Sequence, residues 1–256
     1  MAMPSDQTSE GRSAAGRSGA APVVALIPAY QPDLRLVDLV RGLRAGGIRD
    51  LIVVDDGSPP DSAAVFDEVS SMDGCRLLRH ESNRGKGRAL KTGLALFLER
   101  YPRAVGVVTV DADGQHKARA VLAVAESFLG SPDAVVIGSR RFSAGTPLRS
   151  RIGNGLTRRV FRWVAGVELA DTQSGLRCFP RAVVPRLLEL AGERYEYEMH
   201  VLAACVAMGL PFREVGIETV YLDDNRSSHF RPVLDSLRIY LRLLRCARRS
   251  IRAGRA

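Results

Sequence analysis

Cysteine is scarce in this chain: Cys75, Cys178, Cys205 and Cys246 are the only four in 256 residues, with no CxxC pair and no histidine at zinc-ligand spacing. That argues against a disulfide scaffold or a zinc site and fits a reduced, cytosolic setting. Aromatics are few, at 6% with one Trp, so the interleaved aromatic and basic pattern that stacks nucleic-acid bases is missing. No apolar run reaches the roughly eighteen residues of a membrane span, and the first twenty residues carry no apolar signal-peptide core. Any membrane contact is therefore expected to be peripheral. There is no GxGxxG after the first apolar run, which argues against a dinucleotide oxidoreductase. Lys86 stands between glycines but has neither the preceding Gly spacing nor the following Ser or Thr of a phosphate-binding P-loop.

What is present suits a globular protein. With 46% hydrophobic and 25% charged residues, the chain can bury one α/β core, with room for a small appendage. Its formal charge of +9 is unevenly placed. From Arg140 onward there are 21 Arg, no Lys and 11 acids, a balance of +10, whereas the earlier residues balance at −1. Such a block suits an anionic membrane face, a phosphorylated substrate or nucleic acid.

Residues 1–21 are rich in Ser, Gly and Ala without periodicity and are expected to form a disordered leader. Strands are expected at 22–27, 51–54, 75–78, 105–110 and 134–138. Helices are expected at 34–45, 62–69, 87–99 and 118–129, from apolar residues at helical spacing and Gly stops. Repeated βα units imply a mostly parallel sheet covered by helices, with ligands beyond the carboxyl ends of its strands. A polar loop is expected at 140–151, a late strand at 217–222 and a final helix at 232–251.

The chemistry concentrates where strands end. The run Val107 to Val110 leads into Asp111-Ala112-Asp113-Gly114-Gln115-His116. Because strand side chains alternate faces, Asp111 and Asp113 are expected to project to the same side. Two carboxylates and the Gln115 amide offer hard oxygen ligands for Mg²⁺ or Mn²⁺, which complete their shells with water and substrate phosphates. A diphosphate is the implied partner. Ile27-Pro28-Ala29-Tyr30 and Val54-Asp55-Asp56-Gly57-Ser58-Pro59-Pro60 end the first two strands, although the second also reads as an ordinary turn. His116 either joins the acidic motif or caps the next helix. Glu193, Glu196 and Glu198 precede an apolar helix, where they complement its dipole.

Taken in order, these motifs resemble the family 2 glycosyltransferases, and within them the polyprenyl (dolichyl) phosphate sugar synthases. The likeness also rests on Asn83-Arg84-Gly85-Lys86-Gly87, Gly138-Ser139-Arg140-Arg141-Phe142 and Asp171-Thr172-Gln173-Ser174-Gly175-Leu176-Arg177. It spans about residues 23–244. The resemblance implies a GT-A fold, a Rossmann-like nucleotide-diphospho-sugar transferase architecture with a mostly parallel central sheet flanked by helices. It implies an inverting transfer from a nucleotide-sugar donor to a polyprenyl phosphate. Pro28, Tyr30, Val54 and Asp56 match the nucleoside pocket. Asp111, Ala112, Asp113 and Gln115 match the metal and diphosphate site, with Asp111, Asp113 and Arg140 as the catalytic set. Arg140 matches the loop arginine that meets phosphate, and Asp171, Gln173, Ser174 and Arg177 are placed on the acceptor side.

Two departures matter. Gln31-Pro32 replaces the usual Asn-Glu after the tyrosine, leaving the nucleobase open. Arg226-Ser227-Ser228-His229-Phe230-Arg231 replaces a Ser-Lys ending, so Arg226, His229 or Arg231 would meet the diphosphate instead. In the last helix Leu234, Leu237, Leu241, Leu244 and Ile251 share a face, with Arg238, Arg242, Arg245, Arg248 and Arg249 elsewhere. That helix either packs on its own domain or lies on the cytoplasmic face of an anionic membrane. The resulting layout is a leader (1–21), a glycosyltransferase domain (22–231) and a basic amphipathic helix and tail (232–256). Two rivals stay open: the same fold acting on a saccharide or cell-envelope hydroxyl with Glu196, Glu198 or Asp171 as base, and a basic nucleic-acid-binding module. The missing aromatic and zinc-finger patterns argue against the second, and no nucleic acid is expected as partner.

Overall fold

The computed structural model describes residues 23–140 and 168–218, with Arg162 and Gly166 between them. The first two apolar runs form β1 (Val23–Ala29) and β2 (Leu51–Asp55), and every residue of both is buried. Unbroken apolarity is what a strand covered on both faces requires. β3 (Cys75–Arg79), β4 (Gly106–Thr109), β5 (Val135–Arg140), β6 (Arg177–Pro180) and β7 (Phe212–Ile217) complete a sheet of order β3-β2-β1-β4-β6-β5-β7. β6 runs antiparallel to β4 and β5, and the other pairings are parallel.

The sheet divides the interior into two cores, following the alternation of side chains along β1. Val23, Ala25, Ile27 and Ala29 pack with α1 (Leu34–Ala45), α2 (Ala63–Ser70) and α4 (Ala118–Leu129). Val24 and Leu26 pack on the other side, with α3 (Lys86–Arg100), α5 (Val184–Leu188) and α6 (Glu196–Ala207). Asp33 caps α1, its Oδ1 accepting from Arg35 N at 2.9 Å, a bond worth about 1 kcal/mol.

From β1 the sheet grows through β2 and β3 in one direction and through β4 in the other. This reversal opens a crevice beyond the carboxyl ends of β1, β2 and β4, where ligands of such sheets bind. The three motifs that follow these strands meet there.

Some expectations shift. α1 and α4 have the expected bounds, but β5 continues to Arg140, two residues beyond its expected end. The late strand ends at Ile217 instead of beginning there. It is half-exposed and terminal among the described strands, so Phe212, Val215 and Ile217 give no clean alternation. β6 was not foreseen: Arg177-Cys178-Phe179-Pro180 has no strand pattern of its own and is held by pairing on both sides. Arg226, His229, Arg231, the loop after Arg140, the leader and the basic helix at 232–251 lie outside the described residues. Among the described residues no helix is long and apolar enough to cross a membrane.

Candidate active site

The β1 and β2 ends are tied together. Asp56 N donates to Ala29 O at 2.8 Å, Ser58 N to Asp55 Oδ1 at 2.8 Å, and Gln31 N to Ser58 Oγ at 2.9 Å. Gln31 adopts φ 52°, a strained value for a non-glycine residue. Tyr30 stands beside it, 37% exposed, while Pro28 is buried and the Val54 side chain lies wholly inside the α3-facing core. Asp56 has a second occupation: Oδ1 is 2.7 Å from His80 Nδ1 and accepts from Arg84 N at 3.0 Å, and Oδ2 accepts from Gly85 N at 2.8 Å. Its carboxylate therefore fixes the loop that opens α3. Gly85 has φ +102°, and a Cβ there would lie 2.4 Å from Glu193 O. Only glycine fits this turn under the entrance to α6.

The acidic motif is not an extension of β4. That strand stops at Thr109, so Asp111 and Asp113 sit in the following turn, and strand alternation does not align them. The turn is organised by Asp113, whose Oδ1 accepts from Gln115 N at 3.0 Å. Burial and the neighbouring Asp111 charge push the Asp113 carboxyl up to about 6, so the two acids are nonetheless close in electrostatic terms. Thr109 Oγ1 donates to Gly175 O at 2.9 Å and brings that backbone against Asp111. A Cβ on Gly175 would lie 2.4 Å from Asp111 Oδ2.

Lys86 meets this turn. Its Nζ lies 2.7 Å from Asp111 Oδ1 and 2.8 Å from Glu198 Oε2, linking α3, the acidic turn and the first turn of α6. Burial acts against the ammonium, but the two carboxylates override it and hold Lys86 protonated. Burial likewise acts to raise Asp111, and Lys86 holds it below the usual carboxylate range. The sequence excludes Lys86 from a phosphate loop and offers Glu198 as a helix-end charge or, for a hydroxyl acceptor, a base; it does not pair the two. The signal for Lys86 is its place in Asn83-Arg84-Gly85-Lys86-Gly87 at a helix start, and its partners are far away in the chain.

Arg140 closes β5 and grips Asp171 through Nε–Oδ2 at 2.5 Å and Nη2–Oδ1 at 3.0 Å. Asp171 is fully buried, and this pairing holds its carboxyl low although burial acts to raise it. Arg177 is 2% exposed and donates to three main-chain carbonyls: Ser174 O at 2.8 Å, Glu198 O at 2.7 Å and Thr172 O at 3.0 Å. Ser174 is also buried, its Oγ accepting from Leu176 N. Of the four acceptor-side candidates, only Gln173 is not buried.

His116 is 5% exposed with its Nδ1 unpartnered. The α4 N-cap is Lys117, without a side-chain capping bond, so His116 does not cap that helix. Burial holds its imidazole below the ordinary value, in the fields of Asp111, Arg140, Lys86 and Asp171. Glu196 does serve its helix end, its Oε1 accepting from Glu193 N at 3.2 Å and Arg194 N at 3.4 Å.

The donor set suits a hard dication. Asp111, Asp113 and the Gln115 amide carry hard oxygen donors, the Lys86 ammonium already stands as a cation on Asp111, and the glycine at 175 lets its backbone approach close to that carboxylate. Among the described residues no three His, Cys, Asp or Glu side chains form a metal cage.

The sequence pattern of glycosyl transferase family 2 matches residues 25–176. An uncharacterised protein of Methanocaldococcus jannaschii is 30% identical over 80% of this chain and 84% of its own length. The UDP-N-acetylglucosamine–dolichyl-phosphate N-acetylglucosaminyltransferase of Methanococcus voltae is 29% identical over 86% of this chain and 93% of its own. Among solved structures, glucosyl-3-phosphoglycerate synthase of Mycobacterium tuberculosis, in complex with Mn²⁺ and UDP-glucose, superimposes with a TM-score of 0.62 at 17% identity, covering 88% of this chain and 77% of that one.

Proposed function

Because the chain belongs to glycosyl transferase family 2 and is a glycosyltransferase of the GT-A fold, we propose that it transfers a sugar, with inversion, from a nucleotide-sugar donor to a polyprenyl phosphate at the cytoplasmic membrane face. The observation that carries the acceptor class is the engagement of the surrounding carboxylates. Asp171 is gripped by Arg140, Glu198 by Lys86, Glu196 by backbone amides, and Glu193 by Arg88 and Lys91. A hydroxyl acceptor needs a general base at the attacking oxygen, whereas a phosphate arrives already ionised. The M. voltae relative, by its name, also acts on dolichyl phosphate.

In this reading the Tyr30 ring stands at the mouth of the nucleoside pocket, and Pro28, Val54 and Asp56, whose side chains are buried, shape it through the main chain of the two strand ends. Asp111, Asp113 and Gln115 hold Mg²⁺ or Mn²⁺. When bound, the cation neutralises the negative charge gathering on the leaving diphosphate. Asp56 contributes by fixing the loop that presents Lys86. Arg140, anchored by Asp171, directs its cation toward the phosphate side, with Ala112, Arg226 and His229 completing the donor contacts. Arg177 and Ser174 keep the wall behind Gln173 in shape for the acceptor. Attack from the face opposite the diphosphate inverts the anomeric carbon. The leader and the basic helix are appendages of this one domain, and the helix supplies peripheral membrane contact.

The test offers full-length protein a panel of nucleotide sugars with Mn²⁺ or Mg²⁺, and either a polyprenyl phosphate or the corresponding polyprenol. Transfer to the phosphate alone is expected. Transfer to the free hydroxyl, or to a saccharide instead of the lipid phosphate, would overturn the acceptor assignment.

A further inference from the structure

Lys86 has no counterpart among the roles assigned above, yet its ammonium sits on one of the carboxylates that would hold the cation. The position is built. Asp56 fixes the main chain of Arg84 and Gly85, Gly85 turns under Glu193, and α3 starts at Lys86 itself. The ammonium then lies between Asp111 Oδ1 at 2.7 Å and Glu198 Oε2 at 2.8 Å, with the Tyr195 ring centre 5.9 Å away. Its side chain is 18% exposed and that of Glu198 is 15%, so water screens the trio poorly.

We propose that Lys86 is a built-in place-holder for the dication, neutralising Asp111 while the site is empty and passing to Glu198 when the metal arrives. This rests on the metal-dependent reading of the site. An ammonium and a dication on one carboxylate repel each other strongly in a half-buried setting, so their binding is competitive. Leaving a buried ammonium unpaired is costly. Glu198 removes that cost, because it already touches Lys86 and lies outside the metal-binding turn. The arrangement also explains how Asp111 and Asp113 are kept close together in the empty protein without a bare pair of negative charges. Glu198 is thereby a positioning residue, acting on the metal through Lys86 rather than by ligation.

The test titrates Mn²⁺ alone into the full-length protein, at constant ionic strength and mildly alkaline pH, and follows the free-ion electron paramagnetic resonance signal. Lys86→Met should bind Mn²⁺ roughly tenfold more tightly than the parent, because a competitor is gone. Glu198→Gln should bind it several-fold more weakly, because Lys86 then has only Asp111. In the double variant the Glu198→Gln effect should vanish, since the residue acts through Lys86. Lys86→Gln, carried alongside with melting curves for every protein, provides a second neutral variant if the methionine variant does not fold. Equal or weaker Mn²⁺ binding in the neutral variants overturns the place-holder while leaving the metal reading intact. A Glu198→Gln effect undiminished in the double variant also overturns it. No Mn²⁺ binding by the parent or by either Lys86 variant overturns both readings.

Discussion

Asp113 and Asp171 are both buried acids, and their surroundings drive them in opposite directions. Burial and Asp111 push Asp113 up to about 6, so on balance the empty protein disfavours its ionised form. Asp113→Ala should therefore cost turnover and not the fold. The expected loss in kcat is roughly 10²- to 10³-fold, with a melting temperature unchanged or higher; full turnover in this variant would remove the acid from the mechanism. Asp171 is held below its ordinary value of 3.8 by Arg140. A depressed acid contributes stability that is complete above the unfolded-state value and is lost as pH falls through the lower folded-state value. Asp171→Asn should cost about 3 to 5 kcal/mol at neutral pH, because it leaves the Arg140 cation half-matched in a buried place. Urea unfolding should show the gap to the parent narrowing below pH 3.8, and a gap independent of pH would refute this account. At this scale the sequence announces the acids by type and order. It does not announce what neutralises Asp111, because Lys86 is an ordinary surface residue type until the chain is folded.

α3 is the element on which the site most depends, since it starts at Lys86 and packs against β1 and β2. Its close approach is set by Gly93: a Cβ there would lie 2.1 Å from Leu26 Cδ1. Gly93→Val must drive Leu26 from its rotamer or lift the helix, which costs about 1 to 3 kcal/mol. Urea unfolding measures this, and parent-like stability would show that the helix has slack against the sheet. Elements with their own periodicity were readable in advance. α1 and α4 carry apolar residues at helical spacing, and β1 and β2 are unbroken apolar runs. β6 was not readable, because its four residues begin with a buried arginine and end in proline, and its neighbours on both sides supply the order. The acidic turn fell between these cases. Its residues stand out in the sequence by type and order, but the strand expected to align them stops at Thr109 and an Asx turn shapes the segment instead.

The whole molecule is electrically lopsided, with its positive balance confined to the residues from Arg140 onward. Arg238, Arg242, Arg245, Arg248 and Arg249 lie in the stretch proposed to meet lipid, and each basic residue near an anionic surface adds about 1 kcal/mol. The full chain should co-sediment with phosphatidylserine-containing vesicles at low salt and be released as salt rises. Charge-neutral substitution of these five arginines should weaken binding at least about tenfold, and undiminished sedimentation would assign lipid contact elsewhere. Sheet order has a further consequence at this scale. β5 and β6 are neighbours, and the Arg140–Asp171 clasp joins the point where the chain leaves β5 to the point where it approaches β6. Whatever lies between is therefore anchored at both ends to one spot beside the crevice. The sheet's register at this edge is set by fixed residues on either side of the stretch 141–167, and an insertion within that stretch should leave urea unfolding parent-like.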